Sequence, residues 1–86
     1  LFRSADNLEQ VREALELNVD IVLLDNMTLE MTRAAVELAR STKTKLESSG
    51  GLTLTTAASY AATGVDYLAV GAITHSAPAL DIGLDF

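Results

Sequence analysis

Three short stretches of the chain carry residue types that could do chemistry. The first is Leu46-Glu47-Ser48-Ser49-Gly50-Gly51-Leu52, where a partly apolar segment runs into two consecutive glycines and a helical pattern follows. A strand that ends in Ser-Gly-Gly and opens a helix presents backbone N–H groups outward, backed by the helix dipole and with no Cβ in a ligand's way. That is a cradle for an anion. The second stretch is Val70-Gly71-Ala72, which follows the apolar run Tyr67-Leu68-Ala69-Val70. Glycine-bearing corners after two successive strands are how many barrels hold a phosphate. The third is Asp25-Asn26, closing the run Ile21-Val22-Leu23-Leu24 at the strand end where barrel enzymes place their catalysis. Asp25 is a candidate acid, and the Asn26 amide could orient a hydroxyl or a metal-bound water. The same dipeptide also serves as an ordinary turn before a helix. His75 is the sole histidine, which excludes a histidine pair for a metal. It could donate to a phosphate oxygen beyond Gly71 or simply lie on the surface.

These residues need a frame, and the hydrophobic pattern supplies one. Asp6 or Asn7 caps a first helix over residues 8–17, with Leu8, Val11, Ala14 and Leu15 on one face and Glu9, Arg12, Glu13 and Glu16 opposite. Asn18 suits the left-handed residue that closes a helix. The β-branched and leucine run 21–24 then belongs to a strand covered on both sides. Thr28 caps a second helix over 29–40, whose inner face holds Leu29, Thr32, Ala35, Val36 and Ala39. Residues 41–44 connect to a strand at 45–48, and a third helix reads from 53 to 63 and stops at Gly64. Its helical positions include Leu54, Ala57, Ala58, Tyr60 and Ala61. Another strand follows at 66–70, and residues 1–5 match the end of an earlier one. Strands recurring at about two-dozen-residue intervals with one helix between each pair form a βα repeat.

The fold expected is therefore α/β, a parallel sheet with helices packed outside, amounting to the C-terminal part of a TIM-like, incomplete α/β barrel. Alternation along the strands puts Ile21, Leu23 and Asp25 on the inner face, and Val22 and Leu24 under the helices. Lys45, Glu47 and Ser49 share a face by the same rule, so Lys45 and Glu47 could form a structural ion pair. Tyr60 and Tyr67 are read as packing residues.

Composition narrows the function. The chain has 86 residues, 49% of them hydrophobic, which sets a ceiling of one small domain over residues 1–86. At this size about 60 to 65% of the unfolded surface can be buried, so stability without a partner is marginal. A net charge of −6, from 12 acidic against 6 basic residues, gives no electrostatic footprint for nucleic acid. A phosphate site in that negative field needs local donors or a metal ion. There is no cysteine, so neither disulfides nor thiolate metal sites are available, in keeping with a reducing cytoplasm. No apolar run reaches the roughly 18 to 20 residues of a membrane span. The start at Leu1, without methionine, suggests a cut from something longer.

Taken together, Leu23-Leu24-Asp25-Asn26-Met27, Leu46-Glu47-Ser48-Ser49-Gly50-Gly51-Leu52, the segment 63–72, Thr74-His75-Ser76 and the tail 80–86 resemble the C-terminal part of quinolinate phosphoribosyltransferase, most of all its actinobacterial members. The resemblance covers the chain from Asn7 onward and about the last third of the family's chain. It implies an N-terminal α/β sandwich joined to an incomplete barrel, in a cytoplasmic homodimer whose active sites draw on both subunits. The implied reaction condenses quinolinate with phosphoribosyl pyrophosphate, using Mg²⁺, to nicotinate mononucleotide, pyrophosphate and carbon dioxide in NAD biosynthesis. In those terms Asp25 is the catalytic carboxylate, beside the ribose and the metal of the donor. Ser49, Gly50 and Gly51 bind phosphate, and Val70, Gly71, Ala72 and His75 complete the pocket.

Two departures qualify that picture. The family's Glu-Val-Glu pattern before the first helix is Phe2-Arg3-Ser4 here, so Ser4 stands where a second carboxylate is expected. The basic residues that grip quinolinate lie upstream in the family, and none of Arg3, Arg12, Arg33, Arg40, Lys43 or Lys45 matches them. The 86-residue chain alone is accordingly expected to be inactive, or to bind phosphate weakly. Competing assignments are the sister family linked to molybdenum transport, another phosphate-handling barrel such as a phosphoribosyl isomerase or thiamine phosphate synthase, and a non-catalytic half-barrel used for assembly. A parallel sheet this short has two unpaired edges. The isolated chain should therefore self-associate or be marginally folded. Sedimentation and thermal scans showing a compact, cooperatively melting monomer would contradict this.

Overall fold

The computed structural model describes residues 1–50, 52–70 and 75–78, with only the backbone considered at 70 and 75–78. Its elements run β1 (Phe2–Ala5), α1 (Leu8–Glu16), β2 (Ile21–Asp25), α2 (Leu29–Ala39), β3 (Lys45–Ser49), α3 (Leu54–Ala61), β4 (Tyr67–Val70) and β5 (His75–Pro78). The sheet order is β1-β2-β3-β4-β5. The first four strands are parallel, each joined to the next through one helix, as the βα repeat predicts.

Local chemistry starts each helix. The Asn7 side chain accepts from the Gln10 N–H at 2.9 Å and the Thr28 hydroxyl from the Met31 N–H at 3.1 Å. Thr53 and Thr56 form a reciprocal capping box on α3. Each cap satisfies an amide that the first helical turn would otherwise leave unpaired. Asn18 takes φ +54°, the left-handed conformation expected after α1. The third helix is shorter than the 53–63 reading: it ends at Ala61, and Gly64 at φ +101° closes the turn. A Cβ on Gly64 would come within 3.1 Å of Val36 Cγ1, so that glycine also lets α3's end sit close to α2.

Two rows of side chains divide the sheet. Val22, Leu24, Leu46, Ser48 and Leu68 are buried beneath the helices, against Val11, Ala14, Ala35, Ala39 and Ala57. The alternate residues, Ile21, Leu23 and Asp25 on β2 and Lys45, Glu47 and Ser49 on β3, lie on the other face and are half-buried or exposed. The period of two along a strand thus sorts the core from the face carrying the candidate site. Small alanines on the helices let them approach the leucine and valine rows of the sheet. Leu54, assigned to the third helix by its spacing, is 66% exposed, because it sits on the first turn beyond the reach of the core.

One element departs from the expected all-parallel sheet. β5 pairs with β4 antiparallel, in the register Tyr67↔Pro78 through Val70↔His75. The segment His-Ser-Ala-Pro has neither an apolar run nor alternation to mark it as a strand. Its proline suits the outermost position in the described sheet, because an edge strand can spare an N–H.

The rim at the amino ends of the strands is tied by polar bonds. Thr44 Oγ1 donates to the Val19 carbonyl at 2.7 Å in a buried position. Asp66 engages both backbone groups of Leu46: its carboxylate accepts from the Leu46 N–H at 2.8 Å, and its own N–H donates to the Leu46 carbonyl at 2.9 Å. These contacts extend the β3–β4 pairing below the strand itself. The Ser48 hydroxyl, in contrast, is buried with no hydrogen-bond partner among the described residues. Leu24→Ala should lower stability by about 2–5 kcal/mol, through lost burial and the cavity it leaves. Ser48→Ala should be neutral or stabilising, since it removes a desolvated hydroxyl that gains nothing in return. Urea denaturation of the two variants checks both signs.

Candidate functional site

The carboxyl ends of the parallel strands form one rim, and the first and third candidate stretches meet there. Asp25 is the last residue of β2 and Ser49 the last of β3, and the two are register partners. Asp25 and Asn26 are exposed and Ser49 is half-buried, so the carboxylate and the serine stand side by side at an open edge.

The turns beyond these strands lock together. The Asn26 N–H donates to the Ser49 carbonyl at 2.9 Å, carrying the β2–β3 pairing one step past the strand ends. Asn26 adopts φ +56° and Gly50 φ +98°. A Cβ on Gly50 would lie 2.9 Å from Asn26 N and 3.0 Å from Asn26 Cα. Glycine is therefore required at position 50 twice over, by its backbone conformation and by the approach of the neighbouring turn. Asparagine is among the few other residues that accept the left-handed region readily, which fits its place at 26.

A third contact holds the same corner from outside the sheet. Tyr60, on α3, donates its hydroxyl to the carbonyl of Met27 at 2.7 Å. Met27 is 4% exposed and lies between Asn26 and Thr28, the cap of α2. Tyr60 is thus more than the packing residue its spacing suggested. No local signal in the sequence reveals this bond, because donor and acceptor are 33 residues apart and the acceptor is a main-chain atom.

The other proposed site residues are placed less fully. Val70 ends β4 and faces His75 in the β4–β5 register, which brings His75 to the same rim as Asp25 and Ser49 at the level of the backbone. Gly51, Gly71 and Ala72 fall outside the described residues. Ser4 is exposed on β1 and pairs with Leu23, which in turn pairs with Glu47, itself the partner of Tyr67. The lateral row Ser4, Leu23, Glu47 and Tyr67 therefore lies one step below Asp25 and holds one carboxylate, Glu47. Among the described residues no group of three or more acidic or histidine side chains is disposed to hold a metal ion by itself.

What this rim can do chemically follows from its parts. It offers a carboxylate, a serine hydroxyl and a glycine turn, side by side on neighbouring strands. An exposed carboxylate beside a hydroxyl and a glycine turn suits a ligand that has both cationic character and anionic oxygens.

Comparison with known proteins gives these features a context. The family model described as quinolinate phosphoribosyl transferase, C-terminal domain, matches residues 4–85. The carboxylating nicotinate-nucleotide pyrophosphorylase of Mycobacterium leprae is 54% identical over 82 residues, a match covering 93% of this chain and 29% of that protein. The enzyme of that name from Rattus norvegicus is 35% identical over 80 residues, covering 91% of this chain and 27% of its own length. The crystal structure of nicotinate-nucleotide pyrophosphorylase from Ehrlichia chaffeensis superposes with a TM-score of 0.79 at 38% identity, across 91% of this chain and 28% of that one. The chain thus spans less than a third of the length of these relatives. Its sequence and its α/β architecture agree: the chain belongs to the quinolinate phosphoribosyl transferase family, matching the model of that family's C-terminal domain over residues 4–85.

Proposed function

We propose that this chain supplies the phosphoribosyl side of the active site of an enzyme that joins quinolinate to phosphoribosyl pyrophosphate. The products are nicotinate mononucleotide, pyrophosphate and carbon dioxide. The observation that carries the proposal is the pairing of Asp25 with Ser49 at the carboxyl rim, with Gly50 packed on the backbone of Asn26. The relatives' names supply the reaction class, and the rim supplies groups suited to one of its two substrates.

Departure of pyrophosphate leaves positive charge developing on the anomeric carbon of the ribose. A carboxylate held at a fixed strand end stabilises that charge, and the proposal gives that role to Asp25. The Ser49 hydroxyl and the amides around Gly50 and Gly51 would bind phosphate oxygens, with Val70, Gly71, Ala72 and His75 closing the other side. The space for a side chain on Gly50 is taken up by the Asn26 backbone, which fixes the turn that would carry these amides.

The donor set fits Mg²⁺ in one manner only. Magnesium commonly takes one or two carboxylates together with substrate phosphates, and Asp25 is an accessible carboxylate next to a phosphate-binding turn. Mg²⁺ bound with the donor would neutralise charge on the diphosphate as it leaves. The basic groups that recognise quinolinate are assigned to the portion of the relatives that this chain does not span. The same assignment makes the intact enzyme a cytoplasmic homodimer. Among the described residues no helix is long and apolar enough to cross a membrane.

Calorimetric titration of phosphoribosyl pyrophosphate, with and without Mg²⁺, tests the assignment. Binding should require the metal, and Asp25→Ala should weaken it about tenfold or more, in line with the loss of a charge-assisted contact. Metal-independent binding, or equal affinity in the variant, would sink the donor-site assignment. Gly50→Ala should cost about 1–3 kcal/mol of stability from backbone strain alone, with more from the clash at Asn26. It should also reduce donor binding; denaturation and titration of that variant measure the two effects.

A further inference from the structure

We propose that the Tyr60 hydroxyl is a positioning group for Asp25, acting across the α3–β2 corner. Three contacts hold the short segment that links β2 to α2. The Asn26 N–H is bonded to the Ser49 carbonyl at 2.9 Å, the Met27 carbonyl receives the Tyr60 hydroxyl at 2.7 Å, and Thr28 caps the helix that follows. The first and third are built from residues within or directly beside the β2 and β3 turns. The second comes from a separate element and ties the corner to α3.

The anchoring of Tyr60 is itself specific. The residue is half-buried on α3, and its main-chain carbonyl accepts the Thr63 hydroxyl at 2.5 Å, so the last turn of the helix is braced where the ring emerges. The same helix is capped by Thr53, two residues after the Gly50-Gly51 turn proposed to hold phosphate. One rigid helix therefore touches both halves of the rim: its first turn follows the phosphate loop, and a side chain near its end holds the backbone two residues beyond Asp25. Deleting the hydroxyl would leave the Met27 carbonyl, on a buried residue, without that donor, and the corner would gain freedom to move away from the loop.

The opposite rim offers a matched control. Thr44 Oγ1 donates to the Val19 carbonyl at 2.7 Å, a side-chain-to-carbonyl bond of the same kind but far from Asp25. The Leu46 amide, bonded to the Asp66 carboxylate at 2.8 Å, reports on that lower rim. Amide hydrogen exchange would be measured by NMR on the full 86-residue chain as wild type, Tyr60→Phe and Thr44→Val. Protection of the Asn26 amide relative to that of Leu46 should fall about three- to tenfold in Tyr60→Phe, the factor expected for one hydrogen bond. In Thr44→Val the same ratio should not fall. A merely structural role for Tyr60 would lower both amides together and leave the ratio unchanged, which would overturn the proposal. An unfolded Tyr60→Phe chain would overturn it too, since the hydroxyl would then be a general stability element.

The functional half rests on the donor-site assignment above and has its own measurement. Affinity for phosphoribosyl pyrophosphate with Mg²⁺ should drop about three- to tenfold in Tyr60→Phe and hold in Thr44→Val. If the exchange ratio falls as expected but wild type binds no donor, the positioning role stands and the donor-site assignment fails. If wild type binds and Tyr60→Phe changes neither ratio nor affinity, the assignment stands and the positioning role fails.

Discussion

The carboxyl rim depends on one close approach: the turn after β2 and the turn after β3 are fastened main chain to main chain. The Asn26 N–H reaches the Ser49 carbonyl, and Gly50 lies so near the Asn26 backbone that no Cβ fits between them. In a parallel sheet, strands separate where their pairing ends, and the loops that follow are usually free to diverge. Here the pairing is carried past the strand ends, so that Asp25 and Ser49 remain level with each other. A side chain on either strand end is thereby held by the sheet instead of by a loop, which is the condition for placing a charge accurately against a ligand.

The two rims of the sheet have different work. At the amino ends, polar groups are consumed in mutual bonds, with Thr44 on Val19 and Asp66 on both sides of Leu46. Such bonds contribute to stability and leave little for a ligand. At the carboxyl ends, Asp25 and Asn26 remain exposed. Leaving polar groups open at one rim forgoes the stability that satisfied bonds contribute at the other. The cost is carried by the apolar row of Val22, Leu24, Leu46 and Leu68 under the alanine-rich helix faces.

Much of this was legible in the residues because it follows from short-range rules. Period-two alternation sorted Asp25, Leu23 and Ile21 from Val22 and Leu24, and the caps at Asn7 and Thr28 followed from side chains that can accept an amide proton. The glycine turn after β3 announced itself by Gly50-Gly51, although the sequence could not say that Asn26 is what crowds it. What escaped was set by partners distant along the chain. β5 is a strand because β4 lies beside it, not because His75–Pro78 favours extension. The Tyr60–Met27 bond spans 33 residues, and a tyrosine at helical spacing reads as packing until its hydroxyl is seen. The exposed Leu54 shows the converse, an apolar side chain at a helical position that the core does not reach.

Charge explains why the rim is built from main chain. The protein carries a net charge of −6, and three of its six basic residues, Arg40, Lys43 and Lys45, line a cleft at the lower rim, at the far ends of the strands from Asp25. They are badly placed to neutralise a phosphate at the upper rim, where exposed long-range attraction is further weakened by salt. On the proposed donor-site reading, this chain would meet anionic oxygens there with main-chain amides at the glycine turn, a hydroxyl, and a divalent ion that travels with the phosphates. A carboxylate in the same place would repel a bare diphosphate, yet it attracts one that carries a metal, and it attracts the sugar once the leaving group departs. On that proposal Asp25 is compatible with the negative field because a phosphoribosyl donor would bring a metal ion with it and would develop positive charge as its leaving group departs.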